Sequence, residues 1–212
     1  NRMDPGILLG KDSNREGTAM ERNFETVMVE QCAPVLASLK PAGLFRYETR
    51  DSADLARRVL DWNAQLNPKG LQVRVLKGCV RTRCYLVYVY RESKLAAVLA
   101  DENVRSFLRQ EGYCLPEIGA PETGSLLTQL SRRLCCSEDF PHEIGVFLGY
   151  PLRDVVGFIE NRGQNFTCCG CWKAYGDPAI AQKHFAQLSK CTAVYLRLFH
   201  SGTPILRLAV AA

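Results

Sequence analysis

Two stretches of alternating polarity, set among longer stretches of helical periodicity, limit what this chain can fold into. Leu71-Gln-Val-Arg-Val-Leu76 alternates apolar and polar residues as a half-buried strand does, and Arg83 to Tyr90 alternates as well and is rich in Val and Tyr. The two are expected to pair antiparallel, with the chain reversing near Gly78. Before them, Phe24, Val27 and Met28 recur at helical spacing and predict a helix over 21–31. Cys32-Ala-Pro34 then reads as an interruption, with Pro34 opening a second helix to Leu39 and Pro41-Ala-Gly43 closing it. Asp51 or Ser52 suits the cap of the next helix, with Leu55, Val59, Leu60 and Trp62 facing inward, and Asn67-Pro68-Lys69-Gly70 is a turn.

After the strands the pattern is helical again. One or two helices are expected over 93–111, stopped by Gly112, followed by a loop over 116–124. Helices then run from Thr123 or Ser125 to Cys135-Cys136, from Phe140-Pro-His-Glu143 to Gly149, from Pro151 to Glu160, and from Asp177 to Lys190. Phe166 to Tyr175 reads as a strand, and residues 193–199 and 204–210 as a closing hairpin around Ser201-Gly202. Helices and hairpins interspersed in this way predict an α+β fold: a mostly antiparallel sheet with several helices packed on it, in a single domain over 20–212. Residues 1–19 are polar and without periodicity, and are expected to be a disordered leader or extension ahead of Met20.

At 212 residues, with 47% hydrophobic and 23% charged residues, such a domain needs neither metal nor disulfide in order to fold. The net charge of +5 is spread out, in small pairs such as Arg57-Arg58 and Arg132-Arg133. Nucleic acid is therefore not the expected partner, since it calls for a concentrated basic face. No run of about 18 apolar residues predicts a membrane span, and no basic start followed by an apolar segment predicts export. The expected setting is the cytoplasm, where ten cysteines serve as free thiols, ligands or small buried hydrophobes.

The chemistry concentrates in Asn165-Phe-Thr-Cys-Cys-Gly-Cys-Trp-Lys-Ala-Tyr175. Cys168 and Cys171 have the C-x-x-C spacing that lets two sulfurs converge on a metal or join as a disulfide. Cys168, Cys169 and Cys171, completed by Cys191 or His142, are the candidate ligands of a zinc or iron site. Trp172, Lys173 and Tyr175 are candidate cofactor-binding residues, with Glu143 orienting His142. Packing competes with this reading: on a strand, Trp172 and Ala174 face the core while Lys173 and Tyr175 share the other side. A second reading makes Cys32 a nucleophile at a helix start and His142 its base, as in a cysteine hydrolase or transferase. A third is a non-catalytic module that binds a protein or nucleic acid. His142-Glu143 lacks the second histidine of H-E-x-x-H, because position 146 is Val, and the glycines match no phosphate loop.

His142-Glu-Ile-Gly-Val-Phe-Leu-Gly-Tyr-Pro151, Asp154-Val155, Gly157-Phe-Ile159, Gly163, Asn165-Phe166 and Cys169-Gly-x-Trp-Lys-x-Tyr175 form a specific set. Together with Cys32-Ala-Pro34, Lys40-Pro41 and the stretch from Lys190-Cys-Thr192 to Leu208, they resemble an uncharacterised family of cytosolic proteins from clostridia and related anaerobic Firmicutes. The resemblance covers 20–212 and implies metal or redox work, with a redox protein as partner. Relatives carry further cysteines after the Trp-Lys-x-Tyr motif; this chain has Gly176-Asp-Pro178 there, so a four-thiolate site needs a ligand from elsewhere.

Overall fold

A computed structural model describes residues 23–115, 122–137 and 139–211; the expected leader 1–19 and residues 116–121 of the loop expected over 116–124 lie outside them, and 122–124 are helical. Asn23 caps the first helix, α1 (Phe24–Leu36), its side-chain oxygen accepting from the backbone N–H of Glu25 at 2.8 Å. The helix is not interrupted at Cys32-Ala-Pro34. Pro34 lies inside its last turns, and the carbonyls of Ala33, Pro34 and Val35 accept bonds from Ala37, Leu39 and Ser38. A proline this close to the end costs little, because few intrahelical bonds remain for it to break.

Pro41 then leads into strand β1 (Ala42–Glu48), which the local pattern did not predict. Asp51 caps α2 (Ser52–Leu66), accepting from the N–H of Asp54 at 2.8 Å. Leu55 is buried on its inner face as expected, while Leu60 is 69% exposed and takes no part in that face. A 3₁₀ turn over Asn67–Lys69 enters β2 (Leu71–Cys79), which pairs with β3 (Cys84–Arg91). The chain reverses over 80–83 and not at Gly78, which lies within β2 where the Tyr85 ring covers it. The sheet order is β1-β3-β2, antiparallel throughout, with a bulge between Val75 and Lys77.

β3 is central and enclosed on both faces. Tyr85, Val87 and Val89 point into one core with Phe45, Tyr47 and Val73. Leu86, Tyr88 and Tyr90 point into the other with Leu44 and Leu76. The first core is covered by α1, α2 and later elements. The second is covered by α3 (Glu92–Leu99), α4 (Glu102–Gln110), α5 (Glu122–Cys136), α6 (Ile144–Phe147) and α7 (Leu152–Glu160). The result is an α+β fold, a helix–sheet–helix arrangement in which the strand period sends alternate residues of β3 into two different interiors. The Tyr88 hydroxyl donates to the Phe147 carbonyl at 2.5 Å and ties α6 to the sheet.

The C-terminal third departs from the strand pattern. Phe166 to Tyr175 is a tight hairpin of two-residue strands, β4 (Cys168–Cys169) and β5 (Lys173–Ala174). Asp177 caps α8, which continues over Pro178–His200. Residues 193–199 are therefore helical, and 204–210 contain the short helix α9 (Ile205–Leu208), not the second arm of a hairpin. The apolar alternation over Val194, Leu196 and Leu198 suggested a strand. Tertiary packing selects the helical row instead: Tyr195, Leu196 and Phe199 pack on the first core, and Leu198 stays 39% exposed. Among the described residues no helix is long and apolar enough to cross a membrane.

Arg91, at the end of β3, is buried and satisfied by carbonyl oxygens. Its guanidinium donates to Val35 and Leu36 at 2.7 Å each and to Val210 at 2.8 Å. A cation at the C-terminus of α1 meets the negative end of the helix dipole there. One side chain thus joins sheet, first helix and C-terminus.

Candidate functional site

The residues quoted from 142 to 175 converge on one corner, built from α6, α7, the β4–β5 hairpin and the start of α8. Gly149 turns the chain between α6 and α7 at φ +74, and a Cβ there would stand 2.2 Å from the Pro41 ring. Conformation and space both require glycine at that position. Gly157 lets α7 approach the Tyr175 ring, which a Cβ would meet at 2.5 Å.

Asp154, in the first turn of α7, anchors the hairpin. Its buried carboxylate accepts from Trp172 Nε1 at 2.9 Å and from the Tyr175 backbone N–H at 2.8 Å. Trp172 stacks on Tyr150 with ring centres 4.7 Å apart and meets Phe185 of α8 edge-on at 4.6 Å. With Ala174 it faces the small third core, as the packing reading expects, although the segment is a hairpin. Lys173 donates to the Gly163 carbonyl at 2.7 Å and lies 4.9 Å from the Phe166 ring centre.

A cavity of about 30 Å³ opens between His142, Tyr150, Asp154, Phe158, Trp172 and Lys173. That volume is enough for ordered water. Trp172 and Lys173 line it. Tyr175 instead lies against Gly157, its hydroxyl buried without a partner. The His142 ring packs 4.9 Å from Phe158, its Nδ1 is likewise buried and unpartnered, and burial lowers its pKa. Glu143 does not orient His142. Its carboxylate accepts from the Tyr113 hydroxyl at 3.0 Å and from Arg133 Nε at 2.6 Å, joining α6 to α5.

The expected metal ligands do not gather. Cys168 is half-buried against the third core, Cys169 and Cys171 are exposed on the hairpin, and Cys191 is half-buried on α8. Among the described residues no three His, Cys, Asp or Glu side chains are grouped so as to hold a metal. The reversal over 170–172 is the reason. Cys168 pairs with Ala174 and Cys169 with Lys173, so adjacent thiols project to opposite faces.

Cys32 is fully buried in the first core, against Gly43 of β1, and burial pushes its thiol up to about 12. His142 stands with Phe140, which packs against the second core. The nucleophile and base of the hydrolase reading therefore occupy different packing clusters, and the thiol is sealed from solvent.

The structure brings together a group that sequence spacing does not show. Lys40, half-buried after α1, places its ammonium 4.9 Å from the centre of the Tyr150 ring, whose neighbour in the stack is Trp172. Burial lowers the Lys40 pKa to about 8, while the Cys32 and Cys171 thiols act in the opposite direction. Burial raises the Cys171 pKa and the Lys40 charge draws it back. Lys40, Tyr150 and Asp154 were quoted only as parts of the resemblance; no local periodicity links position 40 to 150 and 171.

No curated protein and no solved structure matches the chain. One family model matches residues 28–209, and the chain belongs to that family, described as Protein of unknown function (DUF3793).

Proposed function

We propose that this protein carries out thiol-linked exchange chemistry at Cys171, with Lys40 as general base, in a reducing cytoplasmic setting where its ten cysteines remain free thiols. The observation that supports this reading is the half-buried Lys40 ammonium on the Tyr150 ring, in the electrostatic field of an exposed thiol. A lysine with its pKa near 8 has a substantial neutral fraction in mildly alkaline solution, and a neutral amine accepts a proton. Lys40 takes the proton of the Cys171 thiol as the sulfur attacks one sulfur of a disulfide substrate; the substrate S–S bond breaks, a Cys171 mixed disulfide forms, and the other half leaves as a thiolate that takes up a proton. The ammonium then faces the Tyr150 ring, which favours the charged form. Cys168, the other member of the C-x-x-C pair, then attacks Cys171 Sγ and releases the second half of the substrate as a thiol that carries the Cys168 proton, so two protein thiols are oxidised to a disulfide as the substrate disulfide is reduced; a redox protein is the partner class.

Alkylation of Cys171 by iodoacetamide, followed by peptide mapping from pH 6 to 10, tests this. The wild-type rate should show an inflection near pH 8 that belongs to the Lys40–Cys171 pair. Lys40→Arg keeps the charge and removes the base, and should abolish the inflection. A profile that is unchanged in the variant, or that lacks the inflection in the wild type, refutes the role of Lys40.

A further inference from the structure

A second pair of thiols, far from the hairpin corner in sequence, is held together by the main sheet. Cys79 ends β2, Cys84 begins β3, and the two are directly opposed in the antiparallel register. Opposed residues share one face of a sheet, with Cα atoms about 4.5–5.5 Å apart. That interval falls inside the about 4.4–6.8 Å range spanned by disulfides. Both thiols are free and only partly buried.

The surroundings make the two thiols unequal. The Cys79 pKa is lowered, chiefly by hydrogen bonding with Thr82 in the turn, and the Arg81 charge adds to this. The Cys84 pKa is raised by burial, and the Arg46 guanidinium opposes the rise. The turn over 80–83 is exposed and carries Arg81 and Arg83. Arg83 is held at φ +56, and its carbonyl accepts from the Thr49 N–H at 3.0 Å. A fixed turn of this kind holds the two thiols in one register and presents cations beside them.

We propose that Cys79 and Cys84 form a cross-strand dithiol that is reversibly oxidised by anionic low-molecular-weight disulfides. The Cys79 thiolate attacks one sulfur of the disulfide RSSR, forming a mixed disulfide and releasing RS⁻. The Cys84 sulfur, giving up its proton, attacks Cys79 Sγ and releases the second RS⁻. Two protein thiols lose two electrons, RSSR gains them, and the two protons leave on two RSH molecules. Arg81 and Arg83 in the turn favour an anionic RSSR over a neutral one, while Arg46 is paired with Glu48 at 2.6 Å. This inference is independent of the Lys40–Cys171 reading, which involves other residues.

Incubation of the folded chain with oxidised glutathione, alkylation of the remaining thiols and tryptic mapping provide the test. Cleavage after Lys77, Arg81, Arg83 and Arg91 separates the two cysteines, so oxidation appears as peptide 78–81 linked to peptide 84–91. The expected result is that linked pair in the wild type and its loss in both Cys79→Ser and Cys84→Ser. Cys84→Ser should accumulate glutathione on Cys79, whereas Cys79→Ser should leave Cys84 largely alkylated. Cys79 and Cys84 both alkylated throughout, linked only in urea, or joined to other cysteines instead, would overturn the proposal.

Discussion

The main sheet and the hairpin corner hold their shape by different means. β3 is buried on both faces and touches two separate apolar cores, so its position is over-determined by many small contacts. The β4–β5 hairpin has two residues per strand, and it depends on a few directed interactions: Asp154 with Trp172, the Tyr150–Trp172 stack and the Gly157–Tyr175 approach. In the sheet one lost contact is shared among many. In the corner it removes a large part of what orders the segment. The reactive group proposed here, with Lys40 and Cys171, belongs to the corner, where local rearrangement is least costly.

The largest expected effect tests the sheet side of this contrast. Arg91→Met removes the cation that satisfies the Val35, Leu36 and Val210 carbonyls in a buried position. Loss of about 3 kcal/mol is expected, because buried acceptors are left with fewer partners. Urea unfolding measures it, and a single transition shifted as a whole is the signature of damage to the shared core. A variant as stable as the wild type would show that this joint is dispensable.

Asp154→Ala tests the corner. It leaves the Trp172 indole N–H and the Tyr175 amide without their acceptor, at a cost of about 2 kcal/mol. Amide exchange should accelerate over 168–175 while β3 amides keep their protection. Equal acceleration in both regions would mean that the two are one cooperative unit and would break the comparison.

The smallest effect concerns pH. Lys40 is lowered from 10.5 to about 8 on folding, so between these values the unfolded chain binds the proton that the folded chain has released. Stability arising from this group therefore rises with pH over that window, and the burial penalty is fully present below about 8. Lys40→Met removes the penalty. It should be the more stable form at pH 7, by less than about 1 kcal/mol because the side chain is only half-buried, with the advantage shrinking above pH 8. Thermal melts at pH 7 and 9 check it; an advantage that grows with pH would reverse the assignment. Cys32, raised to about 12, works against folding only above its ordinary value of 9, so comparison up to pH 9 isolates Lys40.

Where the sequence could be read, the reason was local. The β2–β3 pairing, the Asp51 and Asp177 caps, the stop at Gly112 and the turns at Gly149 and Gly163 follow from chemistry within a few residues. β1 was missed because Ala42-Gly-Leu-Phe-Arg carries no clean alternation and becomes a strand only by pairing with β3. The final helix was read as a strand because period 2 and period 3.6 both fit Val194 to Phe199, and only contact with the first core decides between them. The thiol cluster misled in the same way. Spacing brought the sulfurs of 168 and 169 together along the chain, but the hairpin sends these neighbours to opposite faces.

From the sequence alone follow the α+β class, most of its helices, the central antiparallel pair and the corner where unusual residues accumulate. Tertiary structure alone decided that Cys32 is sealed, that Glu143 serves Arg133 and Tyr113, that Lys40 meets Tyr150, and that Cys79 faces Cys84. The division has a physical cause. Caps, turns and periodicity act over one or two turns of chain, whereas burial and electrostatic fields depend on which distant segments the fold brings within a few ångströms.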